Sequence, residues 1–516
     1  MKWLLEYLTQ RMNDAPSASA ILEKGHEISR SSLLSATNNI VRYLAQSGIQ
    51  PGGRVCICLE NTADFVVAYL GVAAYGCWPV LLDPASPVSK AKYVIQDSGV
   101  HGFLGTQKLF DLLYKENCSF DSVLVVEQPG KWYAWQQESI PFQVWHKTDD
   151  SENSLSVLPF FQKEKGIDSR NEMGTIIYTS GSTGKPKGVV LSSESLKWSV
   201  SIIHDMLNLT ERDVVLVTMS FCHCAGLLHL LAHLIVGAQV VTGETATMIG
   251  PFLGALKKYA VTVLPGVPSF FIVLLRHGKY KIQPYLQTIR IIELSSSFAS
   301  TFLIREIKDL LPQSSIYNTY GLTEVPRLTY HKVSCENDDI LSVGKANKGV
   351  NLKILDSNLQ SCPPYTPGEI FASGVNIAQG YLNGDTLSAS ERFTDYGFRT
   401  GDVGYLDSDG RLFLKGRIDD MIKIGAERVY PQEIEEALLS HPLIRDALAY
   451  EAKDDIYGSI IMAKVVTISS ELTPDDIVEH CRIYLEKYKI PKKIEICESI
   501  ELNDSGKPQR NRVSRA

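Results

Sequence analysis

Gly174-Thr175-Ile176-Ile177-Tyr178-Thr179-Ser180-Gly181-Ser182-Thr183-Gly184-Lys185-Pro186-Lys187-Gly188 carries an apolar strand pattern straight into a loop of glycines, hydroxyls and lysines. Glycines let the backbone bend and bring N–H groups close to an anion, hydroxyls add donors and lysines supply charge. That is the chemistry of a phosphate loop. It is not a Walker A sequence, because Pro186 follows Gly184-Lys185 where that pattern requires Ser or Thr. The competing reading is a Gly/Ser surface turn.

Outward from this loop, short apolar runs read as buried strands: Arg54 to Leu59, Val80 to Leu82 and Val214 to Val217. Helical patterns separate them. From Thr62 to Tyr75, the residues Phe65, Val66, Tyr69, Leu70 and Ala73 share one helical face. The alternation predicts an α/β fold with buried sheets. At 516 residues the chain exceeds a single core, and 44% hydrophobic with 21% charged residues is ordinary globular composition.

A net charge of -7 argues against a chain built to grip nucleic acid, so anions must be held by local geometry. Ten scattered cysteines read as reduced thiols, which places the protein in the cytoplasm. Met1 to Pro16 reads as an amphipathic helix rather than a signal peptide. The longest apolar stretch, Ala225 to Val241, is shorter than the roughly 20 residues of a spanning helix. It reads as a buried helix running into a strand, and no membrane insertion is expected.

A boundary falls near Gly416-Arg417-Ile418-Asp419-Asp420, after the strand Leu412-Phe413-Leu414. Beyond it, helix patterns at Pro431 to Ser440 and Pro474 to Tyr488 alternate with strand patterns at Asp446 to Glu451 and Ile460 to Val466. The expected organisation is a large N-terminal α/β domain of several subdomains (1–416), a hinge (417–420) and a small mobile α+β domain (421–516).

Four further segments complete the pattern. They are Tyr317-Asn318-Thr319-Tyr320-Gly321-Leu322-Thr323-Glu324, Arg399-Thr400-Gly401-Asp402-Val403-Gly404-Tyr405, Gly416-Arg417-Ile418-Asp419-Asp420-Met421-Ile422-Lys423 and Asn503-Asp504-Ser505-Gly506-Lys507-Pro508. With the loop at Thr179 to Lys187, they resemble, in order and over essentially the whole chain, the motifs of the adenylate-forming superfamily. That superfamily includes acyl- and aryl-CoA synthetases, peptide-synthetase adenylation domains and beetle luciferase.

The resemblance implies an enzyme that uses ATP and Mg²⁺ to convert a carboxylic acid into an acyl-AMP and then passes the acyl group to a thiol. It implies that Thr179, Ser180, Gly181, Ser182, Thr183, Gly184 and Lys187 bind the ATP phosphates. Tyr320 would pack on adenine, Thr323 would contact the α-phosphate, Glu324 would help hold Mg²⁺ and Asp402 would accept from the ribose hydroxyls. Arg417 would add charge beside the ribose and phosphates, and Lys507 would be the movable cation bridging carboxylate and nucleotide. These residue types suit the reaction, because two anions must meet and pyrophosphate must leave. The alternative for Tyr320 to Glu324 is a turn entering a helix capped by Thr323.

By the same resemblance Asp419 is the pivot, and rotation there withdraws Lys507 while bringing Lys423 to Val429 toward the acyl-AMP. Ala426 stands where the family commonly has a second glycine, a departure that bears on the thiol step. The acid pocket is expected at His223 and Gly226, within Met219-Ser220-Phe221-Cys222-His223-Cys224-Ala225-Gly226, and at Ser296, Ser297 and Phe298. No aspartate lies between Met219 and His229, which disfavours an α-amino acid. Ser296, Ser297 and Phe298 replace small family residues and predict a compact acid, unless Phe298 turns into the core. CoA is the first-choice acceptor; a separate phosphopantetheinylated carrier protein is the alternative, and an inactive nucleotide-binding scaffold is the reading from another class.

Overall fold

The structure is a computed structural model describing residues 1–128, 131–136, 138–142, 174–179, 185–244, 248–334, 340–384, 391–424, 427–454 and 458–501. Ser180 to Gly184, Gly425, Ala426 and Lys507 lie outside the described residues.

Two large sheets organise the N-terminal part. In one, the strands Ser19–Glu23, Gln239–Thr242, Val214–Leu216, Val263–Gly266, Ile291–Leu294 and Ser315–Tyr320 run parallel side by side in that order. In the other, Thr175–Thr179, Trp78–Leu81, Arg54–Cys58, Gly102–Thr106 and Ser122–Gln128 do the same. These strands are near-continuous apolar runs because helices cover both faces.

The helix Ala63–Tyr75 is buried on all sides, a wider burial than the single apolar face read from the sequence. Thr62 caps its start by accepting from the Phe65 N–H. A Cβ on Gly71 would fall 2.5 Å from Ile40, so glycine lets this helix and Arg30–Gln46 touch. The stretch read as a buried helix entering a strand is the helix Cys224–Val236, ended by Gly237 in the left-handed conformation, and the strand Gln239–Thr242.

Antiparallel strands Val350–Leu355, Gly368–Gly374, Gly397–Leu406 and Leu412–Arg417 extend the first sheet and lead to a short 3₁₀ turn, Ile418–Asp420. After it comes the hairpin Ile422–Ile424 with Glu427–Val429, then a three-stranded sheet of Ile444–Asp454, Gly458–Thr467 and Lys493–Ile496. The helices Pro431–Leu439 and Pro474–Tyr484 pack with it around a core drawn entirely from residues 422–494. The second helix is shorter than its sequence pattern. Leu485 turns extended, and both Leu485 and Ile490 pack against that core.

The two parts meet in part at a helix start, and Arg276 lies 3.9 Å from Asp446. The Glu436 carboxylate accepts from Thr301 Oγ1 at 2.5 Å and Thr301 N at 3.2 Å, at the N-terminus of the helix Thr301–Leu310. Lys415 pairs with Glu433 at 2.9 Å across the 3₁₀ turn. The segment Ser295–Ser300 therefore runs from the sheet edge directly to the interface with the C-terminal part.

Candidate active site

Ligands of open α/β sheets bind beyond the carboxyl ends of the strands. Here that edge collects the sequence-predicted segments: Met219–Gly226 after Val214–Leu216, Ser295–Ala299 after Ile291–Leu294 and Gly321–Glu324 after Ser315–Tyr320. The predicted phosphate loop spans the tip of an antiparallel hairpin, with Thr179 opposite Lys187. A Walker A loop instead enters a helix, so the backbone agrees with the exclusion made from Pro186.

On the nucleotide side, Tyr320 Oη donates to Asp402 Oδ2 at 2.6 Å, and Arg417 Nε lies 3.5 Å from Asp402 Oδ1. Strand pairing sets this up, since Asp402 and Arg417 face each other in register. Burial, reinforced by the Asp402 charge, holds the Tyr320 hydroxyl protonated well above its ordinary range. Burial opposes the Arg417 charge, but Asp402 and Asp420 outweigh it and raise the group. A tyrosine and a guanidinium thus hold the half-buried Asp402 carboxylate in place from two sides.

The loop after Tyr320 is no helix start. Leu322 and Val325 exchange backbone hydrogen bonds at 3.1 and 3.2 Å, and the Ala378 N–H donates to the Glu324 carbonyl at 2.8 Å. This removes the alternative of a helix capped by Thr323, which stays half-exposed. Tyr381 Oη donates to Glu324 Oε1 at 2.8 Å, and Lys187 Nζ sits 5.1 Å from the Tyr381 ring centroid. Tyr381 therefore links Lys187 to Glu324.

Among the described residues no group of three His, Cys, Asp or Glu side chains is arranged to hold a metal. A single hard carboxylate at Glu324 fits magnesium, which keeps waters and takes the rest of its shell from substrate phosphates.

On the acid side, His223 Nε2 lies 3.6 Å from Asp83 Oδ2, and His223 is the N-cap residue of the helix Cys224–Val236. Gly226 follows in the first turn of that helix. Its missing Cβ would meet the Ser220 carbonyl oxygen at 2.2 Å. Gly226→Ala is therefore expected to cost about 3 kcal/mol through backbone displacement, read as a lowered thermal midpoint.

Ser296 adopts φ +70°, the left-handed region that glycine occupies freely, and is exposed. Ser297 and Phe298 are half-buried, so Phe298 does not turn fully into the core. Lys423 is exposed on the C-terminal hairpin opposite Arg428, and Asp419 is exposed in the 3₁₀ turn.

The sequence reading missed Asp83, Tyr381 and a buried cluster of His229, Glu293, Arg327 and Tyr330. A lone acid inside the apolar strand Ile291-Ile292-Glu293-Leu294 was the one signal available for the cluster.

The family model for the AMP-binding enzyme matches residues 8–382, and that for the AMP-binding enzyme C-terminal domain matches 433–507. Among curated proteins, 2-succinylbenzoate-CoA ligase of Bacillus subtilis is 27% identical over 511 residues, covering 99% of this chain and 97% of its own. Oxalate-CoA ligase of Arabidopsis thaliana is 29% identical over 490 residues, covering 92% and 90%. Among solved structures, the O-succinylbenzoate coenzyme A synthetase of Bacillus subtilis, in complex with ATP and magnesium ion, superposes with a TM-score of 0.79. It is 26% identical, and the match covers 98% of both chains. Matched by both family models over most of its length, the chain belongs to the AMP-binding enzyme family and is an ATP-dependent, AMP-forming ligase.

Proposed function

We propose that the chain activates a compact carboxylic acid as its acyl-adenylate and transfers the acyl group to the thiol of CoA. The observation that carries the nucleotide half is the Tyr320–Asp402–Arg417 arrangement, a carboxylate fixed from two sides. Thr323 and the Gly/Ser/Thr loop between Thr179 and Lys187 bind the phosphates, and Glu324 takes magnesium, which supplies charge neutralisation at the phosphate oxygens when bound. Lys507 supplies the cation for adenylation. The hinge at 417–420, with Asp419 as pivot, exchanges it for the hairpin bearing Lys423.

Compactness is supported by Phe298, half-buried beside Ser297 rather than turned fully into the core, where the family has small residues. CoA as acceptor is supported by the relatives, which are named CoA ligases. Among the described residues no helix is long and apolar enough to cross a membrane, and the cysteines described are unpaired thiols, which supports action in the cytoplasm.

The test is acid-dependent pyrophosphate exchange over a panel of acids, followed by CoA or a phosphopantetheinylated carrier protein. Exchange with short acids and thioester formation on CoA is the expected result. A preference for long-chain acids removes the compact pocket, and transfer to the carrier alone removes CoA. Asp402→Asn should raise the KM for ATP about tenfold or more while leaving the order of acid preference unchanged.

A further inference from the structure

Bringing two guanidinium groups together costs free energy unless an anion offsets their repulsion. Gly401 lies between two such groups. Its φ is +74°, and a Cβ built there would stand 2.7 Å from Arg392 Nη1 and 3.4 Å from Arg417 Nη2. The two cations therefore converge on one bare stretch of backbone, next to Asp402. Arg417 has its counter-charge there, since Asp402 and Asp420 both act on it. Arg392 is differently placed. Among the described residues no carboxylate pairs with it, and its guanidinium makes one hydrogen bond, from Nη1 to the Arg399 carbonyl at 3.0 Å.

Local structure fixes Arg392 at this spot. It immediately precedes the short strand Phe393–Thr394, which pairs with Phe398 and Gly397 at the start of the strand that carries Gly401 and Asp402. The Phe393 ring packs on Phe398 at 4.9 Å and edge-on to Tyr381 at 5.7 Å between centroids. Tyr381 in turn donates to Glu324, and its hydroxyl is close enough to Arg392 to feel that charge. Arg392 thus sits between Asp402 on one side and Glu324 on the other, half-buried, with part of its surface open to solvent.

We infer that Arg392 is a phosphate-binding residue of this enzyme: together with Arg417 it receives the phosphate chain of ATP between the ribose and the magnesium site. The assignment rests on the reading of Asp402 as the ribose acceptor and Glu324 as the magnesium ligand, because those two residues mark the ends of the path beside which Arg392 lies. A guanidinium fork matches phosphate oxygens and stays charged at every working pH. The phosphates supply the negative charge that offsets the converging pair, and glycine at 401 keeps the space before both groups clear.

The test is equilibrium binding of ATP and of adenosine to the full chain, by calorimetry, in wild type, Arg392→Gln, Arg392→Lys and Asp402→Asn. Arg392→Gln keeps a donor for the Arg399 carbonyl and loses the charge. It is expected to weaken ATP about tenfold or more and adenosine less than about twofold. Arg392→Lys should recover part of the ATP affinity. Retained adenosine binding also shows that the variant is folded. ATP bound by Arg392→Gln as tightly as by wild type overturns the assignment. So does an equal loss for ATP and adenosine, which marks a structural role. Asp402→Asn should weaken both ligands, and if it weakens neither, the reading of the site falls and takes the assignment with it.

Discussion

Lys507→Ala is expected to lower acid-dependent pyrophosphate release by about 100- to 1,000-fold while changing the reaction of supplied acyl-adenylate with CoA only a few-fold. The first half-reaction brings a carboxylate to the α-phosphate and expels pyrophosphate, so negative charge concentrates where a water-excluded cation acts most strongly. The second half-reaction starts from a neutral acyl group, and in the proposed hinge scheme Lys507 has by then been withdrawn. Lys507→Arg should recover only part of the loss, since a forked guanidinium does not present a point charge in the same place. The measurement is pyrophosphate release beside thioester formation from pre-made adenylate. Equal losses in both steps would remove the division of labour, and no loss in the first would remove Lys507 from the chemistry.

What was legible in the sequence divides along a physical line. The quoted motifs are contiguous runs, and the structure makes local units of them: strands that pair with Thr179 opposite Lys187, a tight loop at Tyr320 to Glu324, a strand pair bearing Asp402 and Arg417. Hydrophobic runs located Arg54–Cys58, Trp78–Leu81, Thr175–Thr179 and Val214–Leu216 within two residues, because strands covered on both faces are apolar throughout. Helix ends were harder. Pro474 to Tyr488 keeps a helical pattern, but the chain leaves the helix at Leu485 to supply Leu485 and Ile490 to a small core. Propensity yields to tertiary burial there.

Long-range contacts were harder still. Tyr381, Asp83 and the Glu293 cluster join segments far apart in the chain, and no local pattern announces which charged residue will be carried inward. At Gly226 the structure adds a steric reason for glycine, the approach of the Ser220 carbonyl, which no local sequence pattern carries.

Glu293→Leu should destabilise the N-terminal part by about 3–5 kcal/mol, because it leaves the Arg327 guanidinium buried without its counter-charge. A loss of that size corresponds to roughly 10 °C or more in the thermal midpoint of a domain of moderate size. Adding Arg327→Met should restore most of it, since removing both charges exchanges an ion pair for apolar packing.

The pH dependence follows from the same geometry. Burial alone would raise the Glu293 carboxyl, but Arg327 and His229 outweigh it and hold the group well below its ordinary range when folded. The unfolded chain therefore binds the proton first, so the stabilisation is complete above about pH 4.3 and is lost progressively as pH falls below that. His233, pushed down to about 3 mainly by burial, adds a loss in the same direction that begins higher, as pH drops through the unfolded histidine value of about 6.5. Glu293→Leu/Arg327→Met should retain the histidine part of the acid sensitivity and lose the carboxylate part. Calorimetry of wild type and the double variant between pH 7 and about pH 3.5 separates the two. Identical profiles would mean that the ion pair is not ionised in the folded protein.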